Sequence, residues 1–109
     1  MHNQIQLASA TVSDVRPRRE ISAITQPYQR YLEGWQLRAS YLGTQLAGYV
    51  VNSDEHDLAL RRLAELSREI EANRDDLMVE TSRLPPDDLL DATLDSLDEL
   101  LATVSRLAS

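Results

Sequence analysis

The chain has 109 residues, a formal net charge of −7, and 42% hydrophobic and 27% charged side chains, a balance that suits one globular domain rather than a disordered or fibrous chain. Cysteine is absent and all 11 Lys-or-Arg positions are Arg. These absences exclude disulfide scaffolds, thiol nucleophiles, Cys-based metal sites, Schiff-base chemistry and a P-loop lysine.

The charge is uneven along the chain. Met1–Ser53 carries five Arg against three acids, a net +2, whereas Asp54–Ser109 carries six Arg against fifteen acids, a net −9. A basic front and an acidic back can pair with each other or with a second chain.

Residues 1–26 read as a flexible or partner-ordered arm. Ile5 and Leu7 alternate with Gln4 and Gln6 as a strand would, but the pattern stops at Ala8 and no second strand-like segment follows to pair with it. Pro17 sits in the basic cluster Arg16–Pro17–Arg18–Arg19, and Pro27 marks the start of the first long helix, because a missing N–H is harmless in a first turn. Met1–Asp14 lacks the basic-then-apolar layout of a signal peptide, so the expected location is the cytoplasm.

The spacing predicts a first helix over 28–52. Tyr28, Leu32, Trp35, Ala39, Leu42, Leu46 and Tyr49 are separated by 4, 3, 4, 3, 4 and 3 residues, which places them on one face of a 3.6-residue helix. Asn52, Ser53 and Asp54 are cap-type residues and predict a very short connection into an antiparallel hairpin. A second helix follows over 54–82 with the seam Ala59, Leu63, Leu66, Ile70, Asn73 and Leu77. Asn73 is its polar member, and a buried Asn in such a seam can set register. Leu84–Pro85–Pro86–Asp87–Asp88 ends that helix and starts a third near Pro86, over 86–108, with the seam Leu90, Leu94, Leu97, Leu101, Val104 and Ala108, and with Leu89, Leu100 and Leu107 widening the stripe. The expected fold is all-α: an antiparallel helical hairpin extended to a three-helix bundle over 27–109, preceded by the arm.

The first helix is the informative one. No charged residue occurs from Ala39 to Ser53, and Leu37, Tyr41, Gly48 and Val51 form an apolar stripe beside the main seam. A helix apolar nearly all round is a buried helix, and two neighbours cover it only in part. Ala39, Gly43 and Ala47 recur every fourth residue, as do Ser40, Thr44 and Gly48. Small residues so spaced admit a close helix–helix approach, and a helical glycine costs about 1 kcal/mol relative to Ala unless packing offsets it. Trp35, Leu37, Tyr41, Gly43, Ala47, Gly48 and Val51 are therefore the expected protein-interaction residues, with Tyr and Trp as the natural anchors. The same stretch is too short to span a bilayer, which takes about 20 apolar residues, and lacks the basic polar face of an interfacial helix.

Signals for catalysis are weak. Asp54–Glu55–His56–Asp57 is the densest group of ligand types, but successive helical residues diverge around the axis, and acids at a helix amino terminus are favoured by the dipole alone. The two histidines have no triad setting and the three glycines form no phosphate loop. No enzyme activity, cofactor, metal or small-molecule substrate is expected. Asp87, Asp88, Asp91, Asp95, Asp98 and Glu99 form an acidic face on the third helix, either solvated or able to occupy a basic groove meant for nucleic acid. Direct nucleic-acid binding is not expected of a chain with this net charge.

In size, acidity and helix layout over Tyr28–Ser109, the chain resembles small bacterial chaperones of flagellar and type III secretion, which shield amphipathic segments of their clients. The likeness is one of class, carries no residue motif and assigns no site residue. The expected function is that of an acidic helical chaperone, adaptor or regulator, forming a homodimer or heterodimer and binding another protein through the apolar helix face. The alternative is an acidic inhibitor or antidote that blocks a nucleic-acid-binding protein.

Overall fold

In the computed structural model, which describes the backbone of residues 2–109 and the side chains of residues 17–109, the chain forms three helices: α1 (His2–Gly48), α2 (Asp54–Thr81) and α3 (Asp88–Ala108). Each packs against the other two and no strand occurs among the described residues. Short connections reverse the chain twice, so α1 and α3 run parallel and α2 antiparallel to both. The architecture is an all-α three-helix bundle.

Helix α1 does not begin at Pro27. Both Pro17 and Pro27 lie inside it, so the start expected near Tyr28 and the arm boundary at residue 26 are displaced. Ile21 and Thr25, assigned to the arm, are each 1% exposed and continue the 4, 3 spacing of the Tyr28 seam backwards. An interior proline costs about 3 kcal/mol, whereas full burial of an Ile contributes roughly 1.5–3 kcal/mol. Ile24 adds a half-buried contact with the core. Pro27 and Ala23 are both exposed, so the Ala23 carbonyl, which loses its i+4 donor, can be served by water. The flexibility expected of the arm over 1–16 lies outside the described side chains.

The carboxyl end of α1 is also earlier than expected. Gly48 is its last residue, Tyr49–Ser53 forms the turn, and Asn52 takes a left-handed φ of 67°, a conformation Asn tolerates better than most residues. Ser53 then caps α2: its hydroxyl accepts from the His56 N–H at 3.2 Å. Asp54, Glu55 and Asp57 occupy the first turn, at the positive end of the dipole. The α2 seam of Ala59, Leu63, Leu66, Ile70 and Leu77 is buried as its spacing predicts, and Thr81 extends it.

Helix α3 begins at Asp88 rather than Pro86. Asp87 is the N-cap, its carboxylate accepting from the Leu89 N–H at 2.8 Å, and both prolines precede it. Its buried line is Leu90, Thr93, Leu97, Leu100 and Val104, not the Leu90–Leu94–Leu97–Leu101 seam. Leu94 and Leu101 flank that line half-buried, and Ala108 is exposed. The shift has a plain cause: α3 faces α1 and α2 together, so the middle of its wide leucine stripe points between them.

Three buried threonines complete the core at the end of the bundle that holds the α2–α3 turn. Thr25, Thr81 and Thr93 donate to the carbonyls of Ile21, Leu77 and Leu89 at 2.8, 2.7 and 2.8 Å. Each hydroxyl is satisfied by its own helix, which allows a polar residue to be buried. Ion pairs tie the helices at the surface: Arg38–Glu69 at 2.8 Å, Arg74–Asp98 at 2.6 Å and Arg83–Glu20 at 3.6 Å. The first joins an Arg of the basic half to a Glu of the acidic half, and the last runs the opposite way.

Candidate functional site

The residues of interest lie on the carboxyl half of α1, and helical geometry sorts them into three directions. At about 100° per residue, Tyr28, Leu32, Trp35, Ala39 and Leu42 point to the centre of the bundle, where all five are buried. Trp35 is thus a core residue and not part of an exposed interaction face. Its ring lies 5.8 Å from that of Tyr31, which in turn meets Tyr28 edge-on at 5.5 Å. The aromatic row is continuous from the core to the surface.

The second direction faces α3. Ala39, Ser40, Gly43, Thr44 and Ala47 line one wall of an open groove of about 710 Å³, and Ser96, Glu99, Leu100, Thr103, Arg106 and Leu107 of α3 line the other. Gly43 abuts α3: a Cβ there would stand 3.0 Å from Leu107 Cδ2. The small-residue rows therefore serve an intrachain contact at Gly43. At Gly48 they serve none, since a Cβ there would meet nothing within 4 Å; that glycine ends the helix.

The third direction is solvent. Leu37 and Tyr41, one turn apart, are 72% and 63% exposed, and Val51 in the turn is 69% exposed. Ala47 and Gly48 are exposed beside them. The Tyr41 hydroxyl accepts from Gln45 Nε2 at 3.0 Å, which leaves the ring itself uncovered. Val50, absent from the sequence-derived set, is the most exposed large apolar side chain in this region. Its signal was its place in the uncharged run beside Val51. Gln36 and the α3 wall were missed for another reason: nothing in a linear sequence states that α1 and α3 are neighbours.

The acidic residues of α3 differ in what they touch. Asp87 is consumed as the cap of α3. Asp98 receives Arg74 through both guanidinium Nε and Nη2, at 2.6 and 3.3 Å, and this hydrogen bond raises the Arg74 pKa above its ordinary value. Glu99, one turn beyond Asp95, also borders the groove with α1. Asp88, Asp91 and Asp95 are exposed on the remaining side.

Among the described residues no group of three or more His, Asp or Glu side chains is placed to hold a metal ion. In the Asp54–Glu55–His56–Asp57 cluster, His56 Nδ1 is buried without a hydrogen-bond partner, and the carboxylates fan out along the first turn of α2. Burial raises the Tyr28 pKa, helped by the nearby charges of Glu80 and Asp76, but that hydroxyl serves the contact between α1 and α2. Among the described residues no helix is long and apolar enough to cross a membrane. Comparison with protein families, with curated proteins and with solved structures finds no match for this chain.

Proposed function

We propose that this chain is a small non-enzymatic adaptor or chaperone that holds another protein against the carboxyl half of α1. One observation carries the reading: Leu37, Tyr41, Val50 and Val51 remain largely exposed on and just after a helix whose other side is fully used by the core. Large apolar side chains grouped in this way are the usual marks of a protein contact site. An amphipathic helix of a client could lie along α1, its apolar anchors one turn apart against Leu37 and Tyr41. Tyr41 suits an anchor because it offers a broad ring with few rotatable bonds.

The alternative, an acidic inhibitor of a nucleic-acid-binding protein, has less in its favour. Asp87 and Asp98 are engaged within the chain, so two of the six expected carboxylates already have partners.

Capture of partners from the native host by the wild type, by the double variant Leu37→Ser/Tyr41→Ala and by the triple variant Asp88→Asn/Asp91→Asn/Asp95→Asn tests both readings. An adaptor loses its partner in the apolar variant alone. Loss in the acidic variant alone, or retention in both, would sink the proposal.

A further inference from the structure

We propose that residues 17–26 of α1 form a strap, hinged at Pro27, that lifts off while the rest of the bundle stays folded, and so opens an apolar slot between the end of α2 and the start of α3. The strap lies on the amino-terminal side of Pro27, apart from Leu37 and Tyr41, and its opening does not depend on the adaptor reading.

The strap is held by little. From Tyr28 to Leu42 the seam buries Tyr28, Leu32, Trp35, Ala39 and Leu42, and the Tyr28 hydroxyl adds a bond to α2 at the Asn73 carbonyl. From Pro17 to Gln26 only Ile21 and Thr25 are buried, with Ile24 partly so. The Thr25 hydroxyl donates to the Ile21 carbonyl within α1, so it ties nothing across the bundle. Arg83, in the turn after α2, reaches Glu20 at 3.6 Å, on the surface. Prolines bound the strap at both ends, and neither has an N–H for the helical ladder. Pro27 also crowds the residue before it away from helical dihedrals, whereas Tyr28 just after it is fixed to α2. A weakly held segment therefore meets an anchored one at the residue that interrupts the ladder, which is where a helix bends.

Opening leaves no buried hydroxyl without a partner. Thr81 and Thr93 donate to the Leu77 and Leu89 carbonyls of their own helices and keep those bonds when the strap leaves. What the strap protects is apolar: Ile21 shares one buried cluster with Leu77 and Leu90, and Leu84 packs at its edge. Lifting residues 17–26 uncovers these leucines. The slot is then fitted to a helical turn like the strap itself, with an aliphatic residue and a threonine four positions on. Segments with few buried contacts open at free energies well below that of global unfolding.

Native-state hydrogen exchange on the full chain tests the strap. Its amides should exchange about ten-fold or more faster than those of Leu32–Leu42. Val104→Ala, in a site 1% exposed and about 21 Å along α3 from Leu90, weakens the bundle far from the strap. It should speed exchange over Leu32–Leu42 about ten-fold or more and leave the strap amides unchanged, because a segment that opens by itself does not sense the cost of global unfolding. Equal protection of the two segments in the wild type, or equal acceleration of both by Val104→Ala, overturns the proposal. Ile21→Asp holds the strap open and gives a second reading. That variant should keep a cooperative urea transition and bind the dye ANS at the uncovered leucines. Losing the transition, or binding no dye, would show that strap and bundle are a single unit and overturn the proposal as well. None of these measurements involves a partner, so their failure leaves the adaptor reading to its own test.

Discussion

The Tyr28 hydroxyl on α1 donates a 3.1 Å hydrogen bond to the backbone carbonyl of Asn73 on α2. Asn73 occupies the one polar position of the α2 seam, yet its side-chain amide turns back to donate to the Glu69 carbonyl at 2.8 Å. The tyrosine ring fills the space that a large apolar residue would otherwise take, and its hydroxyl supplies the cross-helix bond that the asparagine side chain does not.

Replacing Tyr28 by Phe should therefore cost about 1 kcal/mol, the usual net worth of a hydrogen bond, read from urea unfolding near neutral pH. The same residue sets an alkaline limit. Its pKa is raised above the ordinary 10.0 because burial and the charges of Glu80 and Asp76 disfavour the phenolate. The unfolded chain then releases this proton first. Stability from this group is complete below about pH 10 and declines as pH rises through the folded pKa. Tyr28→Phe should flatten that part of the decline, and an identical alkaline slope in both proteins would contradict the assignment.

The three buried threonines lend themselves to an isosteric test. Each donates to a carbonyl that already has a helical N–H, so its hydroxyl relieves no orphaned partner. Thr81→Val exchanges that hydroxyl for a methyl group in a site only 5% exposed. The expected change in unfolding free energy is between zero and about 1 kcal/mol in the stabilising direction. A loss of more than about 1 kcal/mol would show that the hydroxyl bond matters to the fold.

Gly43 sets helix propensity against packing. Alanine there gains about 1 kcal/mol in α1, but its Cβ meets Leu107 Cδ2 at 3.0 Å. Leu107 is only half-buried and can turn its side chain aside. Gly43→Ala should accordingly be neutral or mildly stabilising in a thermal melt. Gly43→Leu, which puts a large side chain where Leu107 already packs, should lower stability by about 1–3 kcal/mol, the range for overpacked contacts.

The surface ion pairs should differ in value. Arg74 grips Asp98 with two nitrogens at 2.6 and 3.3 Å, whereas Arg83 and Glu20 stand 3.6 Å apart on the surface. Asp98→Asn should cost roughly 0.5–1 kcal/mol and Glu20→Gln less than about 0.3 kcal/mol, both shrinking in high salt. Equal losses at the two sites would mean that geometry does not set the value of these pairs.

Linear order was enough to specify much of this protein. A 4, 3 spacing of apolar residues follows from the 3.6-residue helical repeat, so the three helices, the Tyr28–Leu42 and Ala59–Leu77 seams, and the Ser53 and Leu84–Pro86 punctuation could all be read directly. Where a helix touches two neighbours, the repeat does not choose between adjacent stripes; on α3 the directions of α1 and α2 selected Leu100 over Leu101. Proline propensity pointed to a start at Pro27, and only the burial of Ile21 and Thr25 overrode it. The interaction face divided the same way. Its lack of charge is a property of the chain, whereas the removal of Trp35 to the core and the meeting of Gly43 with Leu107 arise from packing, because that is set by which helices become neighbours.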